Sequence, residues 1–376
     1  MSLDKVSNSE WIVPYNYLPE QFNNRKDIFD EWEELARSCE FTLGPKVAEF
    51  EKNFATFVGA EFCIATNNGT DALILALKAL GIKSGDEVIT VPNSFYATTG
   101  AIVACGATPV FIDVDARYQM DASLLEGAIS SKTRAILPVY WGGAAPDMKA
   151  IIDVANRHNL VVVEDACMGI GGSHRGVSQG RFGQIGAFSM HPLKSLNVMG
   201  DGGMLVTDDE NLYQWMFQYR NHGMKDRDHI AMWGVNMRLQ PLQAIVANIE
   251  LPKVPQIIKN RNQNADYLDG ALRSLAPRVI TPERKSYDVE TYSLYMVLCE
   301  DRDELVKYLK GKKIDAKIHY PIPLHLQEAA LNLGYKEGSF PNAESQAKNI
   351  ITLPVHQFLD QRQLHYMVDC IQEFYL

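Results

Sequence analysis

The sequence predicts an α/β protein with a mostly parallel, doubly wound sheet in a large domain, followed by a smaller C-terminal α+β domain. Up to about residue 210, short apolar runs alternate with amphipathic stretches, which is the rhythm of repeated βαβ units. The pattern then becomes mainly helical and returns, from about residue 291, to strand, helix and strand. With 376 residues, 46% of them hydrophobic, the chain is long enough to bury a large core and to form two lobes.

Each predicted element rests on one of these local patterns. The apolar runs predict strands at Phe62–Thr66, Glu87–Val91, Thr108–Asp113, Ala135–Tyr140, Leu160–Glu164, Ala187–Met190 and Met204–Thr207. Amphipathic spacing predicts helices at Asp71–Leu80, Ser94–Ala104, Met148–His158, Leu239–Leu251 and Val254–Leu275. The C-terminal part adds a strand at Tyr292–Leu298, a helix at Arg302–Lys310 and a strand at Ala316–Tyr320. We expect residues 1–250 to form the large domain with an N-terminal arm, and residues 251–376 the small domain, joined by a long helix.

Composition excludes several classes of function. The net charge is −10 and no basic run is sustained, which argues against a nucleic-acid partner. The six cysteines show no CxxC or CxxH spacing, so we expect neither a metal site nor a disulfide framework. No signal-peptide pattern and no window of 18 uninterrupted apolar residues is present, so we expect a cytoplasmic protein without a membrane partner.

Two features separated by about thirty residues point to a chemistry. Lys194 follows a short apolar strand and precedes the glycines of Gly200-Asp201-Gly202-Gly203, a place where a lysine amine can be desolvated and so made nucleophilic. Asp165 ends a strand of four apolar residues, and ligands of open α/β sheets bind at that end. A carboxylate there can keep a pyridine nitrogen protonated, so the pair predicts pyridoxal 5'-phosphate (PLP). The alternatives are a solvated loop lysine, and a Glu164 or Asp165 that merely caps the next turn.

Three further segments suit the same cofactor. Gly69 and Thr70 follow a strand and open a helix, where backbone N–H groups, a hydroxyl and the helix dipole can hold a phosphate, although an ordinary N-cap at Thr70 or Asn68 explains the same residues. Phe95 lies at the tip of another strand, where it can stack on a flat heterocycle or simply pack. Ser189 ends the strand before Lys194 and offers the phosphate a second hydroxyl.

The order of these motifs resembles the DegT/DnrJ/EryC1/StrS sugar aminotransferases, which are PLP enzymes of fold type I. The motifs are Gly-Thr-Asp-Ala-Leu from Gly69, Pro-Asn-Ser-Phe to Phe95, Glu-Asp-Ala from Glu164, and Ser-x4-Lys-x5-Gly-Asp-Gly-Gly from Ser189. The resemblance runs almost end to end, from Phe41-Thr42-Leu43-Gly44-Pro45 to Leu353-Pro354-Val355-His356. It implies that the large domain binds PLP.

The resemblance also implies a role for each site residue. Lys194 is then the Schiff-base lysine and proton carrier, and Asp165 the partner of the pyridine nitrogen. Phe95 stacks on the ring, while Gly69, Thr70 and Ser189 hold the phosphate. The segment Gly234-Val235-Asn236-Met237-Arg238-Leu239 matches the family's Asn-x-Arg element. It implies that Asn236 reaches the phosphate of the neighbouring subunit in a homodimer.

One cofactor-binding position departs from the family. Met168 stands where relatives usually place Gln or His beside the phenolic oxygen of PLP, and a thioether cannot donate a hydrogen bond. Either another group takes over that contact or the cofactor is tuned differently. Some relatives carry histidine instead of the lysine and dehydrate their sugar, and Lys194 argues against that outcome.

The resemblance predicts transfer of an amino group from L-glutamate to a keto-sugar, typically a dTDP- or UDP-linked deoxy sugar aminated at C3 or C4. Candidate substrate-binding residues are His319, Tyr320 and His325 of the His-Tyr-Pro-x-Pro segment, and Arg220, which suits a carboxylate or pyrophosphate but equally an ion pair. A rigid structural turn with a packed tyrosine is the alternative for that segment. Rival functions are amination of a keto-cyclitol or an unlinked keto-sugar, PLP-dependent sugar dehydration, and a non-enzymatic regulator.

Overall fold

A seven-stranded sheet forms the centre of the larger part of the chain. A computed structural model describes residues 10–375. Its strands are β1 Phe62–Thr66, β2 Glu87–Thr90, β3 Thr108–Phe111, β4 Thr133–Ile136, β5 Val161–Asp165, β6 Ser173–His174, β7 Val177–Ser178, β8 Ile185–Ser189, β9 Gly203–Thr207, β10 Val279–Ile280, β11 Asp288–Val289, β12 Tyr295–Cys299 and β13 Ile350–Leu353. The order in the central sheet is β1-β9-β8-β5-β4-β2-β3, with β9 antiparallel to both neighbours and every other pairing parallel. The predicted mostly parallel sheet is therefore confirmed.

Helices cover both faces of this sheet. The helices of the described chain are α1 Leu18–Gln21, α2 Lys26–Ser38, α3 Pro45–Val58, α4 Gly69–Ala79, α5 Tyr96–Ala104, α6 Leu125–Ala128, α7 Met148–His158, α8 Glu210–Tyr219, α9 Pro241–Glu250, α10 Val254–Leu272, α11 Arg302–Gly311, α12 Pro341–Asn349 and α13 Gln361–Tyr375. Successive side chains of strand β1 face opposite sides of the sheet. Cys63 and Ala65 pack in the core with α3, α7 and α9, whereas Ile64 packs in the core with α4, α5 and α8. Such two-sided burial explains why the strands read as continuous apolar runs.

The C-terminal part has a core of its own. Strands β10, β12 and β13 form an antiparallel sheet, and α10, α11 and α13 pack on it through residues such as Leu268, Leu305 and Met367. Between α9 and α10 lies a 3-10 turn, Leu251–Lys253, so the connection is a series of helical segments rather than one helix. The division at residues 250 and 251 falls in this turn and stays a prediction.

The sequence-based expectations differ from the structure in a few elements. The predicted strand Ala316–Tyr320 is wrong, since Lys317 makes only an isolated bridge with Thr352. Pro321 and Pro323 follow directly and lack the N–H groups that would continue a ladder. The sequence patterns also failed to indicate α1, α2, α3, α6, α12, α13, β6, β7, β10, β11 and β13.

Two further features are absent from residues 10–375. Within that range no helix is long and apolar enough to cross a membrane, and no three His, Cys, Asp or Glu side chains are grouped as metal ligands would be.

Candidate active site

A cavity of about 250 Å³ opens at the carboxyl ends of β5 and β8. The N-termini of α4 and α5 face it, and the loop after β8 closes one side. Nine of the predicted site residues line this cavity: Gly69, Thr70, Phe95, Asp165, Met168, Ser189, Lys194, His319 and Tyr320. The sheet explains the convergence, since β5 and β8 are parallel neighbours with Asp165 opposite Ala187, so the residues at both strand ends meet.

Lys194 lies in the loop that follows β8 and extends into the cavity. Burial lowers the pKa of its amine, and the neighbouring Cys167 and Asp165 only partly oppose this shift. Within residues 10–375, no hydrogen-bond or ion-pair partner is recorded for Nζ. A desolvated amine loses its proton more readily than an exposed one, and the free amine can act as a nucleophile or a base.

Asp165 ends β5 and is almost fully buried. Its Oδ2 accepts a hydrogen bond from Thr98 Oγ1 at 2.7 Å, and its Oδ1 accepts one from the Cys167 N–H at 3.2 Å. Thr98 lies on α5, one turn after Phe95, so this helix orients the carboxylate. A carboxylate held by two neutral donors keeps lone pairs free for a cationic group in the cavity.

The phosphate end of the cavity is the N-terminus of α4. The Asn68 side chain caps the helix by accepting from the Asp71 N–H at 2.8 Å, which leaves the N–H groups of Gly69 and Thr70 without helical partners. The N-cap that the sequence allowed at Asn68 is therefore present, and it coexists with a free anion site. A Cβ on Gly69 would lie 2.7 Å from the Ser189 Cβ, so only glycine allows the helix end to approach β8 this closely.

Aromatic rings form the wall above the strand ends. Phe95 is 40% exposed, although it is a large apolar residue, and its ring lies 6.2 Å from that of Tyr320. Trp141 lies 5.7 Å from Tyr320 on the other side. Burial lowers the pKa of His319 to about 4, with help from the charges of Lys194 and Lys317, and its Nδ1 pairs with Thr352 Oγ1 at 2.9 Å. His319 is therefore a neutral hydrogen-bonding group at pH 7.

Met168 lines the cavity with a side chain that offers no donor. Its backbone carbonyl accepts hydrogen bonds from Thr291 Oγ1 at 2.5 Å and Ser293 Oγ at 3.0 Å, which fixes this turn against the segment before β12. Cys167 beside it is half-buried, and desolvation of its thiol together with the charge of Asp165 raises the thiol's pKa well above the ordinary value. The thiol is therefore neutral.

Two predicted substrate residues do not reach the cavity. Arg220 is 1% exposed and pairs with Glu51, while its Nη1 also donates to the Ala65 carbonyl at 2.7 Å. It joins α8 to α3 and β1, and the ion pair that the sequence left open is the one formed. His325 is buried and its Nε2 contacts Glu344 Oε1 at 3.0 Å. The structure corrects both placements, because each side chain makes a buried internal contact away from the cavity.

Asn236 also lies outside the cavity of its own chain. It is exposed, and its Oδ1 accepts a hydrogen bond from the Arg238 N–H at 3.4 Å. Its contact with the phosphate of a neighbouring subunit stays a prediction.

Sequence reasoning missed several residues of this cavity. Thr98, Tyr15 and Trp141 line it but belong to none of the motifs described above. Tyr17 donates to the Lys194 carbonyl at 2.9 Å from the N-terminal arm. Only Thr98 had a local signal, since it follows Phe95 by three residues and so shares its side of α5.

The residues present fit PLP. The cofactor needs an anion site, a carboxylate for its ring nitrogen, a flat apolar surface and a free amine. The helix end at Gly69, the carboxylate of Asp165, the ring of Phe95 and the amine of Lys194 supply these four around one cavity. With the observed sheet order, they define a PLP-dependent transferase of fold type I.

Comparison with known proteins makes the assignment specific. Residues 23–372 match the sequence profile of the DegT/DnrJ/EryC1/StrS aminotransferase family. The chain therefore belongs to this family of PLP-dependent aminotransferases.

Similar proteins carry different names. The chain is 37% identical to the "Pleiotropic regulatory protein" of Geobacillus stearothermophilus, over 96% of this chain and 98% of that one. It is 36% identical to the dTDP-3-amino-3,4,6-trideoxy-alpha-D-glucose transaminase of Streptomyces venezuelae, over 90% and 89% of the two chains. The crystal structure of S. venezuelae DesV in complex with a ketimine intermediate superposes with a TM-score of 0.94 at 34% identity, covering 96% of this chain and 98% of that one.

Proposed function

We propose that this aminotransferase moves an amino group from L-glutamate to C3 of a nucleotide-linked keto-sugar. The observation that carries the proposal is the convergence of the unpartnered Lys194 amine and the Asp165 carboxylate on one cavity. The similarity to the S. venezuelae transaminase, whose named product carries its amino group at C3, supports the sugar class and the ring position. Because nucleotide-linked sugars are the acceptors, the proposal includes a cytoplasmic location.

The roles of the cofactor-side residues belong to this proposal. PLP supplies, when bound, an electron sink that stabilises negative charge on the carbon that loses a proton. The Asp165 carboxylate would pair with the ring nitrogen of PLP and favour its protonated form, and Thr98 holds that carboxylate in place. Gly69, Thr70 and Ser189 hold the phosphate at the N-terminus of α4, and Phe95 covers the ring.

Lys194 then has two tasks at one position. Its amine would serve as the covalent anchor for PLP, and once substrate had freed it, Nζ would take the proton from the α-carbon of glutamate. The lowered pKa of Nζ makes the amine easier to deprotonate than an ordinary lysine, which suits a group that must accept and return a proton. In the second half of the reaction Nζ returns a proton to the sugar carbon that gains nitrogen.

His319 and Tyr320 line the same cavity as Lys194, so we assign them to the sugar. A neutral His319 and a Tyr320 whose pKa burial raises to about 12 can hydrogen-bond sugar hydroxyls without adding charge. Among the lining residues of the described chain, no arginine is available for the donor carboxylates. We infer that a second copy completes the site in a homodimer and supplies Asn236.

Absorbance of the PLP-loaded protein tests the transaminase assignment. Adding L-glutamate should convert the lysine-bound form of the cofactor into its amine form, and a dTDP- or UDP-linked 3-keto-sugar should reverse the change. Lys194→Ala should bind PLP but show no turnover. If the absorbance spectrum of the PLP-loaded protein did not change on addition of L-glutamate, the transaminase assignment would be contradicted and a non-enzymatic regulator would be favoured. Reversal by a keto-cyclitol alone would contradict the sugar class only.

A further inference from the structure

The main chain of Lys194 is held by a group from the N-terminal arm. Tyr17, which is 3% exposed, donates from its hydroxyl to the Lys194 carbonyl at 2.9 Å. The two residues are 177 positions apart in the chain, so this bond ties the arm to the lysine loop. The residue before the lysine, Leu193, has a φ of 72°, a left-handed conformation that a side chain of its kind rarely adopts. The loop therefore needs outside contacts to keep this shape.

A buried arginine fixes the direction of that hydrogen bond. Arg261 of α10 is 1% exposed, and its Nη2 lies 2.8 Å from the Tyr17 hydroxyl. A guanidinium can only donate, so the Tyr17 oxygen must accept from it. The hydroxyl proton is then donated to the Lys194 carbonyl, which can only accept. The guanidinium thus orients the hydroxyl as well as contacting it.

The remaining contacts of Arg261 are consistent with its role in orienting the Tyr17 hydroxyl. Its Nε donates to Gln357 Oε1 at 3.0 Å and its Nη1 to the Tyr292 carbonyl at 3.4 Å. Within residues 10–375 it forms no salt bridge with a carboxylate, although a buried guanidinium usually has one. The Tyr17 ring also packs against His356, with centroids 5.2 Å apart, so its position is determined on several sides.

We propose that Tyr17 is a positioning residue for Lys194 and that Arg261 acts through it, so that α10 and the N-terminal arm together align the lysine amine in the cavity. The proposal rests on the proposed function, because it concerns the residue assigned there as the reacting amine. It predicts that loss of one hydroxyl far along the chain changes the chemistry of Lys194 while the cavity walls stay intact.

Tyr17→Phe is the sharpest test because it keeps the packed ring. The Lys194 carbonyl retains a second donor, Asn197 Nδ2 at 3.2 Å, so the variant should fold. We expect kcat for glutamate to fall about fivefold or more while KM changes less than twofold, the size expected for one lost hydrogen bond. Tyr366→Phe is the matched control, since Tyr366 likewise donates to a backbone carbonyl, that of Lys312 at 3.0 Å, outside the cavity.

A second measurement distinguishes a change in the position of the Lys194 amine from a loss of protein stability. In the cofactor-free protein, labelling of Lys194 by acetic anhydride across pH, followed by mass spectrometry, reports its pKa and access directly. We expect Tyr17→Phe to change this profile and Tyr366→Phe to leave it unchanged. Arg261→Lys, which keeps a donor, should retain more activity than Arg261→Met, and Arg261→Met should add little to Tyr17→Phe because both act through the same bond.

The outcomes are distinct. A Tyr17→Phe protein with wild-type kcat and a wild-type labelling profile overturns the proposal, whatever its thermal stability. Equal effects of Tyr17→Phe and Tyr366→Phe on both readouts would also overturn it, because they would reflect general destabilisation. A wild-type protein that does not respond to glutamate would instead defeat the proposed function.

Discussion

Substituting Gly69 by alanine probes the contact that shapes the phosphate end of the cavity. A Cβ at this position would lie 2.7 Å from the Ser189 Cβ, 3.1 Å from the Ser189 Oγ and 3.2 Å from the Cys167 Sγ. The first contact is with an atom fixed directly to the backbone of β8, so rotation of a side chain cannot relieve it. Either α4 or β8 must move.

The magnitude follows from two opposing effects. Alanine restricts the unfolded chain and by itself would stabilise the protein by about 0.4–1 kcal/mol. Overpacking at a closely packed position costs about 1–3 kcal/mol, which is the larger effect. We therefore expect Gly69→Ala to lower the free energy of unfolding by about 1–2 kcal/mol. Displacing the helix end from Ser189 should also weaken PLP binding about tenfold, equivalent to about 1.4 kcal/mol.

Gly270→Ala provides the matched control. Gly270 lies on α10, and a methyl group added there would meet no atom within 4 Å, so alanine should raise the free energy of unfolding by about 0.5–1 kcal/mol. Urea denaturation of the cofactor-free proteins and PLP titration followed by fluorescence measure both effects. If Gly69→Ala matched wild type in unfolding and in PLP affinity, the close approach of α4 to β8 would not define the phosphate site.

Three further outcomes are expected. Asp165→Asn should lower the transamination rate at least about 10- to 100-fold in stopped-flow absorbance, because an amide removes the charge that stabilises a protonated ring nitrogen. Arg220→Met should cost about 3–5 kcal/mol in urea denaturation by leaving Glu51 unpaired, with kcat of the folded protein unchanged, and Glu51→Gln in the same chain should recover part of the loss. Burial lowers the pKa of His356 from 6.5 to about 4, so the stability tied to its neutral form is complete above pH 6.5 and is lost as the pH falls toward 4. His356→Gln should make the free energy of unfolding fall less steeply across that window.

The central features of the site could be predicted because they follow from local pattern and sheet geometry. Asp165 and Ser189 end apolar strands, and parallel neighbours bring their carboxyl ends together. Gly69 begins a helix directly after a strand, which places free N–H groups at the same edge. The position of each of these residues depends on a few neighbours in sequence and on one topological rule.

The remaining contacts depend on partners that no local pattern reveals. Arg220 has the residue type of an anion ligand, but its carboxylate partner is Glu51, 169 positions away. Thr98 and Asp165 are 67 positions apart, although they share a hydrogen bond in the cavity. Residue type indicates what a side chain can do, whereas the fold decides which partner it meets.

The two adjacent acids at the end of β5, Glu164 and Asp165, show how the fold gives neighbouring residues different partners. Successive residues of a strand face opposite sides of the sheet, so Glu164 and Asp165 enter different surroundings. Glu164 accepts hydrogen bonds from the backbone N–H groups of Gly180, Phe182 and Gly183 and from the Tyr140 hydroxyl, which occupies its oxygens and fixes the turn before β8. Asp165 instead accepts hydrogen bonds from the Thr98 hydroxyl and the Cys167 N–H, and it lines the cavity. The sequence offered turn capping and a place in the cavity as alternatives for these acids, and the structure divides them between the two residues. Glu164 caps the turn before β8, and Asp165 lines the cavity. By fixing that turn, Glu164 helps to hold β8, the strand that leads to the Lys194 loop.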